Sequence, residues 1–351
     1  MNHPKKYGKI LSIFLLLCLL CSTLFFSSCS KSSSVGTAGN TEKVVLNEVA
    51  HSCFYAPMYV AIENHYFEEE GLSIDLVTGY GADKTMTAVL TGEADIGFMG
   101  SEASIYTYLE GANDYVVNFA QLTQRAGNFL VAREPIDNFD WSMLKDSYVL
   151  GGRDGGMPEM VFEYILKTHN VQPDTDLTID KSIDFGSTAA AFSGARINDA
   201  NYPDFTVEFE PHATALEAKG DGVIVASLGE ASGYVPYTAF SAKASYIKEH
   251  ESTIQAFTNA LQKGQEYVLS HSAEETAKVI QPQFEETDLT TITTIVGRYL
   301  SQDTWKNNLI FEEDSFTLLE NILEEAGQLK ERVPYDTLVT KKYAEISSKM
   351  K

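Results

Sequence analysis

Cysteine is scarce in this sequence. The 351 residues hold four, Cys18, Cys21, Cys29 and Cys53. Three fall within the first 29 residues, so the body of the chain keeps one thiol and no intrachain disulfide. Basic residues are few as well: 26 Lys and Arg stand against 49 Asp and Glu, a formal net charge of -23. A surface this acidic repels a polyanion, which argues against nucleic-acid partners. The seven histidines show no zinc-ligand spacing with cysteine, so no metal is expected. There is no Gly-x-Ser-x-Gly elbow and no His-Glu-x-x-His pair, the usual marks of a serine hydrolase or a zinc protease. Nothing in these absences favours an enzyme, and no cofactor is expected.

What is present is ordinary for a globular protein: 44% hydrophobic and 21% charged residues, with 24 Gly and 10 Pro. At roughly 150 residues per domain the length suggests two domains. Lys5, Lys6 and Lys9 precede an almost unbroken apolar run over 10–26, and Ser27-Ser28-Cys29 follows. A basic start, an apolar middle and small residues at the end describe a secretory signal over 1–28. A membrane-spanning anchor is the other reading, although the run is near the lower length limit. Ser28-Cys29 after Phe26 resembles the lipobox of bacterial lipoproteins, which implies cleavage before Cys29 and a lipid on its thiol. Residues 29–42, rich in Ser, Gly and Thr, read as a flexible tether.

From residue 44 the pattern changes. Short apolar segments at 44–49, 72–77, 95–99 and 115–122 alternate with helical stretches at 57–65, 83–90 and 101–110. Pro57 suits the first turn of its helix, where a missing N–H costs nothing. The rhythm restarts with strands at 148–152, 177–183, 206–209 and 223–227 and helices at 157–169, 188–193 and 211–219. After a strand at 237–242 the strands stop. Residues 245–329 read as successive helices broken at Pro282, Asp288 and Asn307-Asn308. The expected class is α/β, built of βαβ units with parallel sheets.

In open α/β sheets ligands bind beyond the carboxyl ends of the strands, so the turns there carry the candidates. Ser52-Cys53-Phe54-Tyr55-Ala56-Pro57 follows the first strand; Phe54 and Tyr55 either stack on a flat ligand or cap the core. Tyr80 and Gly81 follow the second strand, and Gly81 lets a ligand approach the backbone. Met99, Ser101 and Glu102 follow the third, with Ser101 as a candidate cap. The glycine-rich 151–156 segment, including Gly155, has neither P-loop nor dinucleotide-fingerprint spacing and reads as a wide turn with backbone donors. Glu208-Phe209-Glu210-Pro211 ends a strand: Glu210 either complements the helix dipole or accepts from a ligand amino group. Tyr234, ahead of the last strand, completes the candidate set.

Phe54-Tyr55-Ala56-Pro57-Met58-Tyr59-Val60-Ala61-Ile62-Glu63, Tyr66 to Leu72, and Thr91-Gly92-Glu93-Ala94-Asp95-Ile96-Gly97 together resemble the family of solute receptors for thiamine precursors, alkanesulfonates and nitrate. The resemblance runs over nearly all of the chain after the tether. It implies a two-lobed periplasmic-binding-protein fold of type II, with lobe 1 at 43–130 and 240–351, lobe 2 at 131–239, two crossovers near Arg133 and Tyr237, and the helical tail packed on lobe 1. It further implies a monomeric, lipid-anchored extracytoplasmic receptor handing a small molecule to the permease and ATPase of an ABC importer. In the pyrimidine-binding branch, rings sandwich a planar heterocycle and a carboxylate holds its amino group; by position these fall on Phe54, Tyr55 and Glu210. Small anions are the rival ligands, with Lys84, Arg125 and Arg153 as candidate cations. A fungal enzyme of the same fold makes the thiamine pyrimidine and carries a lysine where this chain has Met99, besides a cysteine cluster that this chain lacks.

Overall fold

The computed structural model describes residues 41–350, apart from 174 and 198. The expected signal, Cys29 and all but the last two tether residues lie outside this range. Among the described residues there are ten strands: β1 (Glu42–Glu48), β2 (Leu72–Thr78), β3 (Ile96–Gly100), β4 (Val116–Thr123), β5 (Asn128–Ala132), β6 (Tyr148–Leu150), β7 (Thr178–Asp180), β8 (Phe205–Phe209), β9 (Val223–Ser227) and β10 (Thr238–Lys243). They form two five-stranded sheets, ordered β2-β1-β3-β10-β4 and β7-β6-β8-β5-β9.

Neither sheet is wholly parallel, which corrects the sequence expectation. β1 runs parallel to β2 and β3, but β10 pairs antiparallel with both β3 and β4. The second sheet repeats the device: β6 is parallel to β7 and β8, and β5 lies antiparallel between β8 and β9. The inserted strands arrive by crossing from the other sheet rather than through a βαβ helix, so the usual handedness and direction do not bind them.

β5 has no counterpart among the expected strands, and it moves the expected boundary. Asn128 to Ala132 bond to β8 and β9, so the first crossover lies between Thr123 and Asn128, ahead of Arg133. At the other side β10 begins at Thr238 and pairs wholly within the first sheet, so a boundary at 239/240 would cut it.

β3 is buried along its whole length and reads Ile-Gly-Phe-Met-Gly without polar alternation, as a central strand covered on both faces should. Phe98 and Phe240 stack across β3 and β10 with centroids 4.1 Å apart. Helices Ala56–Glu63 and Glu251–Ser270 cover that face, Phe67 and Phe119 packing on Phe257. The opposite face holds a smaller cluster of Met86, Val89, Met99 and Val116. Asp288 caps helix Leu289–Ser301 by accepting from the Thr291 N–H, so the expected break there is a helix start. Two short helices, Tyr335–Leu338 and Lys342–Ser347, extend the tail beyond the expected 329. Among the described residues no helix is long and apolar enough to cross a membrane.

Candidate functional site

The carboxyl ends of β1 and β3 meet the second sheet's turns over a shared, buried interior. The Ser52 hydroxyl donates to the Glu210 carbonyl at 2.8 Å. Met157 opens helix Met157–Thr168, and its backbone N–H, like that of Glu102 itself, acts to lower the Glu102 pKa. Arg153 pairs with Asp83 at 2.9 Å, both half exposed. The Tyr106 hydroxyl donates to the Gly155 carbonyl at 3.4 Å.

Glu102 is the chemically unusual member. It opens helix Glu102–Leu109, where the dipole favours a carboxylate. It is nonetheless 3% exposed, and burial pushes its pKa up to about 7 against the pull of the Glu102 and Met157 N–H groups. Its Oε2 has no hydrogen-bond partner within the protein. The carboxylate folds back over Gly100, and a Cβ there would overlap both oxygens. Tyr55, Tyr106 and Tyr237 are close enough that burial together with the Glu102 charge raises all three phenols.

Asn128 supplies the complementary orphan. Tyr237 donates its hydroxyl to Asn128 Oδ1 at 2.8 Å, while Asn128 Nδ2, fully buried, has no partner. An unmade hydrogen bond at a buried polar atom costs about 1–3 kcal/mol. Two such atoms, the acceptor on Glu102 and the donor on Asn128, have no hydrogen-bond partner within the chain.

Phe54, expected to stack on a ligand, is instead core. It is fully buried and packs on Tyr55, Phe209, Tyr237 and Tyr299, with centroids 5.2–6.0 Å away. Gly127 in the first crossover presses on its ring, 2.7 Å from where a Cβ would stand. Tyr55 lies edge-on to Phe98 at 4.5 Å and borders the Glu102 interior.

Glu210 is the main correction. Its Oε1 accepts from Arg298 Nη1 at 2.7 Å and from the Thr214 hydroxyl at 2.8 Å, and its Oε2 from the Thr214 N–H at 2.9 Å. With both oxygens engaged on this side, it is not the open acceptor the sequence suggested. Arg298 Nη2 also reaches Glu217 at 2.6 Å, tying helix Leu289–Ser301 to helix His212–Lys219. Its neighbour Glu208 is buried and pushed up to about 7 by desolvation, with the Thr206 hydroxyl donating to it at 2.6 Å.

The other expected residues disperse. Met99 points into the small cluster behind the first sheet. Ser101 caps no N–H: its hydroxyl donates to the Pro236 carbonyl at 2.6 Å, in the second crossover. Tyr80 is 75% exposed, and Gly81 sits beside the Asp83–Arg153 pair. Tyr234 is 55% exposed, donates to Asp303 at 2.6 Å and carries Arg125 over its ring at 4.3 Å. It borders a shallow concavity of about 330 Å³ with Gln124 and Trp305; a second, of about 280 Å³, lies by Ser227 and Arg298. Glu102 lines neither.

Sequence reasoning missed Asn128, Tyr237, Met157 and Arg298. Only Asn128 left a signal, as a polar residue between Gly127 and an apolar run. A buried network at the end of β1 also went unseen. Glu48 accepts from Tyr59 at 2.6 Å and Thr78 at 2.8 Å, and His51 bridges it to the Gln283 carbonyl at 2.8 and 2.7 Å. Both ring nitrogens of His51 face acceptors, a geometry that suits the imidazolium. Burial works against that charge, but the bonds to Glu48 and Gln283 outweigh it and hold the pKa above the ordinary value. Among the described residues no three His, Cys, Asp or Glu gather as metal ligands.

Similarity to known proteins agrees with this architecture. The alkanesulfonate-binding protein SsuA of Xanthomonas axonopodis pv. citri, bound to MOPS, superposes with a TM-score of 0.67 at 14% identity, covering 87% of this chain and 100% of the other. The nitrate-binding protein NrtA of Synechocystis PCC 6803 gives 0.59 at 14% identity, with 87% and 93% covered. Likeness at such identities is one of fold, and the fold is the two-lobed periplasmic-binding-protein fold. The Bacillus subtilis (strain 168) protein named "Putative binding protein YtlA" is 46% identical over 303 residues, 86% of this chain and 89% of that protein. A profile of the NMT1-like family matches residues 40–281, through both sheets and into the helical tail. With kinship running through every strand of the structure, the chain belongs to the NMT1-like family.

Proposed function

We propose that this protein is the extracytoplasmic solute-binding component of an ABC importer, held at the membrane by a lipid on Cys29 and passing its solute to a permease and ATPase. The solute is a small planar heterocycle bearing an amino group, similar to the thiamine pyrimidine. The observation that carries this reading is Glu102: a buried carboxylate with an unpartnered oxygen, bordered by Tyr55, Tyr106 and Tyr237, between the facing edges of two sheets. A burial this unfavourable makes sense where a ligand N–H completes the site. The relatives support the receptor role, since one is named a binding protein and others bind alkanesulfonate or nitrate.

A small anion is the second reading. It is favoured by the solved relatives and by Arg125, which stacks on Tyr234, has a buried Nε without a partner and forms no ion pair among the described residues. Protein purified from its native host and denatured should release a small molecule identifiable by mass spectrometry. An aminated heterocycle supports the first reading, a sulfonate or nitrate the second, and protein without any bound solute under induced conditions counts against the receptor role. Cys29→Ala should move the protein out of the membrane fraction; unchanged partition would exclude the lipid anchor.

A further inference from the structure

The end of helix Leu289–Ser301 belongs to the tail, yet it is lodged against both crossovers that join the sheets. The first crossover is residues 124–127, between β4 and β5; the second links Ser227 of β9 to Thr238 of β10. The tail bonds the first along its length. The Gln124 N–H donates to the Thr304 carbonyl at 2.9 Å, and the Gln124 side-chain amide to the Asp303 carbonyl at 3.0 Å. Gln302 Nε2 donates to the Ala126 carbonyl at 3.1 Å, and the Tyr299 hydroxyl to the Gly127 carbonyl at 2.9 Å. The second crossover is held as well: the Ser227 hydroxyl donates to Gln302 Oε1 and the Tyr234 hydroxyl to Asp303, each at 2.6 Å. One buried side chain, Gln302, thus ties the first crossover to the mouth of the second. Gly229 makes room for it, since a Cβ there would overlap the Ala126 carbonyl and the Gln302 amide.

The segment is itself anchored at both ends. Asp303 turns the chain in the left-handed region, at φ 57°, a conformation uncommon outside glycine. Just beyond it Trp305 is buried, its indole N–H donating to the Phe54 carbonyl at 2.9 Å on the first sheet's side. One turn before Gln302, Arg298 reaches Glu210 and Glu217 on the second sheet's side. Movement of two lobes is absorbed as torsion changes in the segments that join them. Here the backbone groups of the first crossover are bonded to the tail, so those torsions change only if the bonds break or the tail moves with them. We infer that residues 298–305 form a wedge that sets the angle between the two lobes, making the helical tail a third mechanical connection beside the two crossovers. The wedge acts on the joints and not on the solute, so it stands apart from the choice of ligand.

Hydrogen-exchange mass spectrometry and small-angle scattering on the full chain, with no solute added, test it. Gln302→Met keeps the side-chain volume and removes the bonds to Ala126, Ser227 and Thr304. It should speed exchange at least tenfold at the amides of Gln124 and of Val235, which donates to the Gln124 carbonyl at 2.9 Å. The β3 amides should keep the wild-type rate, and the radius of gyration should rise. Tyr234→Phe, at a half-exposed position, loses only the bond to Asp303 and provides a second variant should the first fail to fold. It should speed the Gln124 amide several-fold, although that amide lies in the other crossover. Wild-type exchange at Gln124 in both variants, equal acceleration in β3, or wild-type scattering from Gln302→Met would each overturn the inference.

Discussion

Replacing Arg298 by Met is the substitution whose cost the structure specifies best. The guanidinium joins two carboxylates of very different surroundings. Glu210 has a fully buried side chain, whereas Glu217 and Arg298 itself are each 28% exposed. An ion pair as open as the Glu217 one contributes about 0–1 kcal/mol. The Glu210 pair is different, because removing one partner of a buried pair strands the other charge at a cost of about 3–5 kcal/mol. Two features reduce that figure here: solvent reaches Arg298, and Thr214 still donates to both Glu210 oxygens. A loss of roughly 2–3 kcal/mol is expected, most of it through Glu210. Urea unfolding followed by circular dichroism measures it, the midpoint falling with the slope unchanged. Glu217→Gln should cost under about 1 kcal/mol, and Glu210→Gln with Arg298→Met should cost less than the sum of the two single changes. A loss below about 1 kcal/mol in Arg298→Met, or strict additivity in the cycle, would refute the assignment of Glu210 to a structural ion pair.

Four further outcomes follow from the same geometry. Because the Glu102 pKa is raised in the folded state, from 4.5 to about 7, the native state binds the extra proton between those values; stability should fall as pH rises through that window, by roughly 3 kcal/mol at most, and Glu102→Gln should flatten the dependence in thermal melts. His51 is likewise raised, so its contribution is complete below pH 6.5 and is lost as pH rises through the folded value; His51→Gln should reduce stability at pH 5.5 more than at pH 8.5, and an equal loss at both would argue against the imidazolium. Phe54→Ala should cost about 3–5 kcal/mol as a core cavity, and a variant of native stability that loses only ligand affinity would restore Phe54 to the binding surface. Small-angle scattering should give a smaller radius with solute than without if the two lobes close on it about the crossovers; identical curves at saturation would count against hinge closure.

The candidate site was legible in part, and the division has a physical basis. Glu102 and Tyr55 could be marked because they stand just past strand ends, and strand ends are visible in local apolar runs. Glu210 could be marked for the same reason, but its partner Arg298 lies 88 residues away, and no local pattern announces that pairing. Phe54 and Tyr55 are adjacent and aromatic, so the sequence could not say which ring is packed on all sides and which borders the polar interior. Asn128 was passed over because its strand is five residues long and finds its partners, β8 and β9, far along the chain.

Taken alone, the sequence determined the succession of strands and helices apart from β5, the shift to an all-helical tail, the shortage of cations and the single thiol left in the body of the chain. These depend on periodicity and composition among neighbouring residues, which survive in any order of assembly. Tertiary structure alone decided that both sheets are mixed, that β5 belongs to the second, that Glu210 is spent on Arg298, and that Glu102 and Asn128 are left unpartnered. Those outcomes depend on which distant groups meet when the sheets close, and a buried polar atom is satisfied or orphaned only by what comes to lie opposite it.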